Sequence, residues 1–240
     1  VVFHQQDGSD VHGFSSGAPA GSVMQKVAPA PGRLMVEEAA VSLAIFDLDE
    51  TLIGGDSDQL WGRYLASVGA VDGERFVRTN RAFHLQYRAG TLDIDAYLRF
   101  AMSPLAAHPL ERLHNWRLQF VATRIRPLLL PKARELVERH RAAGDTLLII
   151  TATNRFVTEP IAELFGIPNL LATEPEFTDG RYTGQPTGIP CFAEGKVLRL
   201  DAWLEETGHD LAGSWFYSDS RNDIPLLSRH FLEITSSAND

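Results

Sequence analysis

Two carboxylates lie two residues apart at the end of a short apolar run. Residues 44–46 are apolar, and Asp47, Asp49 and Thr51 follow them. A short apolar run bounded by polar residues is typical of a buried strand, and parallel α/β sheets bind ligands just beyond the carboxyl ends of their strands. Because a buried acid is costly unless it is paired, hydrogen-bonded or bound to metal, Asp47 and Asp49 indicate a cation site and chemistry. The alternative is a single aspartate that only caps a helix.

Polar side chains also follow two later apolar segments. Residues 146–150 form a predicted strand followed by Thr151, and residues 214–218 form another, followed by Asp219 and Asp223. If these strands are parallel, their carboxyl ends lie side by side and the residues there form one site. Thr151 taken alone is better interpreted as a turn or helix cap, but three such strand ends together argue for a shared site.

Several aspartates around one point need a positive counter-charge to remain ionised. The candidate site offers only oxygen donors, and the eight histidines show no zinc-like spacing, so a hard ion such as Mg²⁺ is predicted. Lys196, at the start of a predicted helix, could direct positive charge toward a phosphoryl group. The alternative for Lys196 is a solvated surface lysine.

The elements that must position these residues follow from the apolar pattern. Residues 58 to about 125 have helical spacing of apolar side chains, and Gly90 and the pair Ser103-Pro104 are expected to separate the helices. From Pro131 onward, predicted helices and strands alternate, which is typical of a parallel sheet with crossover helices. The predicted fold is therefore α/β: a three-layer Rossmann-like parallel sheet with an inserted all-helical cap.

Composition excludes several classes of function. The chain has 240 residues, 44% of them hydrophobic, which suits one large domain or a core domain with an insert. A net charge of -9 argues against a nucleic-acid partner, and no apolar run is long enough for a membrane span. The single cysteine, Cys191, excludes an internal disulfide framework and favours a reducing cytoplasm. We expect a cytoplasmic protein that acts on a small molecule; the oligomeric state stays open.

The motifs resemble those of the haloacid dehalogenase-like phosphatase superfamily. Its first motif, Asp-x-Asp-x-(Thr/Val), matches residues 47–51, and its second, an apolar strand ending in Ser or Thr, matches Thr151. The third motif, a lysine, matches Lys196, and the fourth, paired acids after a strand, matches residues 218–223. The helical insert between the first two motifs looks like the cap of the phosphoserine phosphatase branch, subfamily IB. The resemblance extends over residues 43 to about 230.

The expected domain organisation combines this resemblance with the pattern along the chain. Residues 1–40, rich in Gly, Ser, Ala and Pro, are predicted to be a disordered leader, with Met35 as a candidate natural start. Residues 41–56 and 127–240 would form the Rossmann-like core, and residues 57–126 the helical cap.

The resemblance implies phosphomonoester hydrolysis through an aspartyl-phosphate. Asp47 would be the nucleophile that attacks phosphorus, and Asp49 would be the general acid and base. Mg²⁺ would be held by Asp47, by the backbone carbonyl of Asp49 and by Asp219. Thr151 and Lys196 would hold the phosphoryl oxygens.

Further residues bear on support and on substrate choice. Thr51 and Asp223 are expected to support the site, and Asn222 to contact the substrate. Phosphoserine phosphatases have a Glu seven residues after the second aspartate of the first motif, where it meets the substrate amino group; this chain has Asp56 there. Residues 151–154 read Thr-Ala-Thr-Asn, where those enzymes have Ser followed by glycines. The expected substrate is a small phosphorylated metabolite of the phosphoserine or histidinol phosphate type, bearing an amino group.

Two alternatives stay open. In a phosphotransferase, an alcohol would replace water as the acceptor of the phosphoryl group, and the sequence does not separate this activity from hydrolysis.

A catalytically impaired phosphate-binding protein is suggested by the short segment after Asp223. Residues 231–234 could form a last strand, but residues 236–240 offer no packing helix, and an exposed sheet edge could result.

Overall fold

The computed structural model describes residues 42–229 and 233–235. Within these residues the strands are β1 (Leu43–Phe46), β2 (Thr146–Asn154), β3 (Asn169–Thr178), β4 (Arg181–Thr187), β5 (Trp215–Tyr217) and β6 (Glu233–Thr235). The helices are α1 (Ser57–Ser67), α2 (Gly73–Ala89), α3 (Ile94–Ala107), α4 (Leu110–Phe120), α5 (Pro131–Ala143), α6 (Arg155–Phe165), α7 (Glu194–Thr207) and α8 (Ile224–Leu227). A π-helical turn (Val121–Ile125) and two 3₁₀ turns (Arg126–Leu128 and Arg221–Asp223) complete the described elements.

The strands form one sheet in the order β4-β3-β2-β1-β5-β6. All neighbouring strands are parallel except β3 and β4, which are antiparallel. Phe46, the last residue of β1, is in register with Ile149 of β2 and with Tyr217 of β5. The carboxyl ends of the three central strands therefore lie side by side, and the polar residues that follow them meet at one edge.

Strand β1 is covered on both of its faces. Ala44 and Phe46 belong to the larger apolar cluster, which includes side chains of α5, α6 and the helices before them. Leu43 and Ile45 point to the opposite face, where they cluster with Leu200 of α7. A continuous apolar strand is what a sheet between two helical layers requires. The predicted three-layer α/β fold is confirmed.

The chain between β1 and β2 is helical, and one of its predicted boundaries is wrong. Gly90 ends α2 in the left-handed conformation, with φ 70°, as predicted. The pair Ser103-Pro104, in contrast, lies inside α3. Pro104 lacks the N–H that would bond to Phe100 O, but the Ser103 hydroxyl donates to this carbonyl at 2.8 Å. The side-chain hydrogen bond satisfies the carbonyl, so the helix continues past the proline.

A hairpin outside the parallel alternation packs against the helical block. Asp179 and Gly180 have φ values of 51° and 76°, as the predicted tight turn between β3 and β4 requires. Helix α3 packs against β4, and a Cβ built at Gly184 would lie 3.1 Å from the Ala106 Cβ. The glycine thus allows the close approach that seats α3 on the hairpin.

The last described strand, β6, pairs in parallel with β5, with Ile234 opposite Phe216. The strand predicted for residues 231–234 is thus present at Glu233–Thr235, whereas residues 231 and 232 and the predicted leader lie outside the described residues. Within the described part of the chain, no helix has the length and apolar character needed to cross a membrane.

Candidate active site

The three strand ends open into one cavity. Asp47 follows β1 and Asp219 follows β5, whereas Thr151 lies within β2, which continues to Asn154 instead of ending at residue 150 as predicted. All three residues line a cavity of about 750 Å³. The backbone N–H of Asp47 donates to Tyr217 O at 2.8 Å, which fixes the first strand end against the third. The structure therefore brings together the residues that the sequence predicted to meet.

Lys196 enters this site from the first turn of α7. Its ammonium group donates to Asp47 Oδ1 at 3.0 Å and to Asp223 Oδ2 at 3.0 Å, and its side chain is buried. The preceding residue, Gly195, is needed because a Cβ there would lie 1.9 Å from Pro190 O. Close backbone approach thus positions the start of α7, and the alternative of a solvated surface lysine is wrong.

The electrostatics of the site reflect burial and crowded negative charge. Burial raises the pKa of Asp47 to about 7; Lys196 works to lower this pKa, and Asp223 and Asp219 raise it. Burial works to lower the pKa of Lys196, but the carboxylates of Asp47 and Asp223 raise it above its usual range. The lysine therefore stays charged, and its single positive charge does not balance the negative charge of the neighbouring aspartates.

Each carboxylate oxygen of Asp49 accepts one hydrogen bond. The backbone N–H of Ser57, at the start of α1, donates to its Oδ1 at 2.7 Å, and the Thr153 hydroxyl donates to its Oδ2 at 2.9 Å. Burial raises the pKa of Asp49 well above its usual range, as does the charge of Asp56, whereas the Ser57 hydrogen bond lowers it. Thr153 was missing from the predicted site, although its spacing of two from Thr151 places both on one face of a strand.

The supporting residues form a second layer of hydrogen bonds. The Ser218 hydroxyl donates to Asp223 Oδ2 at 2.5 Å, beneath Lys196. The Thr51 hydroxyl donates to Asp219 Oδ1 at 3.2 Å. Asp219 is exposed, but its partial desolvation raises its pKa, and this Thr51 hydrogen bond opposes the rise. Thr51 thus contacts Asp219, and Asp223 contacts Lys196; the supporting roles expected of Thr51 and Asp223 stay predictions.

The two residues predicted to contact substrate also line the cavity. Asp56 caps α1: its Oδ1 accepts from the Gln59 N–H and its Oδ2 from Gln59 Nε2, both at 2.9 Å. Asn222 is partly buried, and its backbone N–H donates to Ser220 Oγ at 3.2 Å. Their predicted contacts with substrate stay predictions.

The helical block supplies the opposite wall of the cavity, through individual contacts that the sequence did not reveal. The hydroxyl of Tyr97, on α3, donates to Asp58 Oδ2, on α1. Burial and the charge of Asp56 raise the pKa of Asp58 to about 6, and the Tyr97 hydrogen bond lowers it. From α2, Tyr87 reaches across to the core, where its hydroxyl lies 3.2 Å from Ser220 Oγ. No apolar spacing along the chain predicts these contacts between separate helices.

The oxygen donors of the site fit a divalent cation of the Mg²⁺ type. Asp47 and Asp223 both contact the Lys196 ammonium, and Asp219 is near enough to raise the pKa of Asp47, so negative charge exceeds positive charge among these four residues. Within residues 42–229 and 233–235, no group of three or more His, Cys, Asp or Glu side chains is arranged as a metal cage. Mg²⁺ needs no such cage, since it usually keeps several waters and takes one or two carboxylates together with substrate phosphate.

Comparison with known proteins agrees with this geometry. The model of the haloacid dehalogenase-like hydrolase family matches residues 44–228. A histidinol-phosphatase of Neisseria meningitidis is 46% identical over 190 residues, which cover 78% of this chain and 86% of that protein.

Two solved structures are also similar. A Bordetella pertussis protein of unknown function has 46% identity and a TM-score of 0.74, with 78% of this chain and 86% of that one covered. A substrate-bound phosphoserine phosphatase has a TM-score of 0.61 at 21% identity, with 83% and 87% covered, which shows a shared fold. The family match spans both the strand ends and the helical block, and the chain therefore belongs to the haloacid dehalogenase-like hydrolases.

Proposed function

We propose that this phosphatase hydrolyses a small, amino-bearing phosphomonoester in a Mg²⁺-dependent reaction through an aspartyl-phosphate. One observation carries the proposal: the cavity has Asp47 and Lys196 in contact at its core end, and acids and aromatic rings on its other wall. A phosphate group suits the first set of residues and a cationic group suits the second.

The first half-reaction would transfer the phosphoryl group to Asp47. A carboxylate oxygen of Asp47 attacks phosphorus, the ester P–O bond breaks, and the leaving alcohol oxygen takes a proton from Asp49. Lys196 and Thr151 hold the phosphoryl oxygens. The buried position of Lys196 supports this role, because its charge acts at full strength only where water is excluded.

The second half-reaction would return Asp47 to its starting state. Asp49, now ionised, takes a proton from a water molecule that attacks phosphorus, and the bond between phosphorus and the Asp47 oxygen breaks. The raised pKa of Asp49 suits a group that must first hold a proton and then release it. The Thr153 hydroxyl and the Ser57 N–H keep the carboxylate in place for both transfers.

Mg²⁺ would be held by Asp47, the backbone carbonyl of Asp49 and Asp219, with Thr51 and Asp223 as supporting residues. When bound, it reduces the repulsion between the attacking carboxylate and the phosphate and stabilises charge on the phosphoryl oxygens. Asp223 accepts a hydrogen bond from Lys196, which also contacts Asp47, and the Thr51 hydroxyl donates to Asp219.

Histidinol phosphate is the substrate that we favour. The relative with 46% identity is named a histidinol-phosphatase, and the cavity presents Asp56 and Asp58 toward a cationic group. Phosphoserine is the second candidate, because Arg88 and Arg221 also line the cavity and could receive its carboxylate.

Phosphate release from a defined panel tests the proposal. The purified protein is assayed with histidinol phosphate, phosphoserine and p-nitrophenyl phosphate, in Mg²⁺ and in EDTA. We expect release in Mg²⁺ without any added acceptor alcohol, loss of release in EDTA, and recovery when Mg²⁺ is restored. Turnover that requires an added alcohol would identify a phosphotransferase. No release from any ester would leave the phosphate-binding protein as the better interpretation.

A further inference from the structure

One carboxylate in the cavity has a function still to be explained. Asp58 lies two residues beyond Asp56 on α1, is partly buried, and lines the cavity. The Tyr97 hydroxyl donates to its Oδ2. Its other oxygen, Oδ1, has no hydrogen-bond partner within the described residues. A carboxylate that is shielded from water and accepts a hydrogen bond at only one oxygen is costly to the protein. A ligand that donates to the other oxygen would remove this cost.

The surroundings of Asp58 are aromatic. The Tyr97 ring meets the Phe83 ring edge to face, with centroids 5.4 Å apart, and both rings line the cavity. His84 lies on the same wall, 3.3 Å from Gln59 Nε2. Aromatic faces beside a carboxylate attract a cationic nitrogen, since the ring quadrupole and the carboxylate both favour positive charge.

The neighbouring aspartates are already engaged. Both oxygens of Asp56 accept hydrogen bonds from Gln59, which fixes the start of α1. Both oxygens of Asp49 accept as well, one from Ser57 and one from Thr153. Among the aspartates at positions 49, 56 and 58, Asp58 is therefore the one with an oxygen left for a substrate.

The geometry points to Asp58 as the residue that binds the protonated nitrogen of an amino-bearing phosphomonoester, with Tyr97 as its positioning residue. This inference rests on the proposed phosphatase function and identifies the residue that selects its substrate. Asp56 would then act mainly as the helix cap. Phosphate would bind at the Lys196 end of the cavity and the cation at the Asp58 end.

A selectivity ratio tests this inference. The ratio is kcat/KM for histidinol phosphate divided by kcat/KM for p-nitrophenyl phosphate, a monoester without a cation. Asp58→Asn keeps an acceptor for Tyr97 but removes the charge, so we expect the ratio to fall about 30-fold, mainly through KM for histidinol phosphate. Tyr97→Phe leaves the charge of Asp58 but removes the hydrogen bond that positions its carboxylate. We expect the ratio to fall about fivefold in this variant.

The matched control is Asp95→Asn, which makes the same charge change at an exposed position of α3 outside the cavity. It should leave the ratio within about threefold of the parent value. If Asp56→Asn lowers the ratio and Asp58→Asn does not, Asp56 is the cation site and the inference is wrong. Parent protein that hydrolyses p-nitrophenyl phosphate without favouring histidinol phosphate would also overturn it, while the phosphatase function would stand.

Binding separates this inference from catalysis. Calorimetry with histidinol phosphate is carried out on Asp47→Asn and on Asp47→Asn/Asp58→Asn, so that turnover plays no part. We expect the Kd to rise about 30-fold with the second substitution, and an unchanged Kd would refute the role of Asp58. Phosphoethanolamine lacks the imidazole and 3-(imidazol-4-yl)propyl phosphate lacks the amine. If Asp58→Asn weakens the binding of phosphoethanolamine, Asp58 binds the amine; if it weakens the binding of the imidazole ester, Asp58 binds the imidazole. If the substitution changes the Kd of neither ester, the inference is wrong.

Discussion

The two ends of the cavity differ in how firmly their side chains are held. At the core end, Asp47, Thr151, Lys196 and Asp223 are at most 6% exposed, and each makes at least one hydrogen bond. At the cap end, Tyr87 is 38% exposed, and helix α2, which carries it, has no residue that is fully buried. The difference teaches that the phosphate end is organised before substrate arrives, whereas the other end can adjust to it.

The sheet explains the rigidity of the core end. Asp47 directly follows β1, and Thr151 lies within β2, in register with Ala172 of β3; backbone hydrogen bonds to neighbouring strands fix both registers. Helix α2, in contrast, meets the rest of the cap through ring contacts such as that between Phe76 and Phe100, with centroids 4.5 Å apart. Both rings are only partly buried, so this contact holds α2 less firmly than a hydrogen-bonded register holds a strand.

The largest expected effect comes from the nucleophile at the core end. Asp47→Asn is nearly isosteric and keeps a partner for Lys196, but an amide does not attack phosphorus. We expect kcat to fall by on the order of 10⁴-fold or more, with the circular dichroism spectrum unchanged. Incorporation of labelled phosphate after acid quenching should disappear as well. Full activity in this variant would show that the covalent mechanism is wrong.

Removal of the buried cation tests whether the core end depends on charge balance. Lys196→Met keeps the approximate volume but leaves Asp47 and Asp223 without their shared donor. We expect a loss of about 3–5 kcal/mol in the free energy of unfolding at pH 7.5 and a fall in kcat of about 10²–10³-fold. The loss of stability should shrink as the pH falls, because protonated carboxylates no longer need a counter-charge.

The matched control for this variant is Lys132→Met, the same substitution at an exposed position in the first turn of α5. Its effect on the free energy of unfolding should stay within about 0.5 kcal/mol. If urea unfolding gave the same loss for both lysines, the core end would not owe its stability to the buried charge network.

The same contrast explains which parts of the molecule could be predicted from sequence. Asp47 and Asp219 follow apolar strands, and Thr151 follows the apolar stretch of β2, so the apolar pattern placed all three near one edge of the sheet. The same pattern placed the end of β2 too early, because the strand continues through polar residues to Asn154. Their meeting point follows from topology, and the contact of Lys196 with Asp47 agrees with the family motif. Thr153 was missed even though a spacing of two from Thr151 could have identified it.

The cap resisted prediction because its contacts join helices that are distant in sequence. The contact of Tyr97 with Asp58 depends on how α3 packs against α1, which helical periodicity does not determine. The boundary predicted at Pro104 was wrong for a local reason: the Ser103 hydroxyl satisfies the carbonyl that the proline leaves without a donor. A proline in the sequence therefore does not mark a helix end where a neighbouring hydroxyl can take the place of its missing N–H.

A smaller effect is expected from the cap acid. The pKa of Asp58 is about 6 in the folded protein, raised chiefly by burial, against about 3.9 in an unfolded chain. Between these values the folded state holds a proton that the unfolded state has released, so stability falls as pH rises toward 6. Asp58→Asn should therefore stabilise the protein by about 1 kcal/mol at pH 7.5, and by little near pH 4. Urea unfolding at both pH values measures the difference, and Asp95→Asn should show no such gain.

The smallest effect is expected where α2 touches the core. Tyr87→Phe removes the contact between its hydroxyl and Ser220 Oγ but keeps the ring near Phe192. Because an exposed hydrogen bond contributes little, we expect KM for histidinol phosphate to rise by no more than about threefold, with kcat unchanged. Ser220→Ala also removes the acceptor of the Asn222 N–H, so its effect should be larger than that of Tyr87→Phe. Adding Tyr87→Phe to Ser220→Ala should change KM no further, because the bond between the two hydroxyls is already absent. A tenfold fall in kcat would contradict the comparison between the two ends. It would mean that closure by α2 sets the geometry of the chemical step, so that the cap end is as strictly organised as the core.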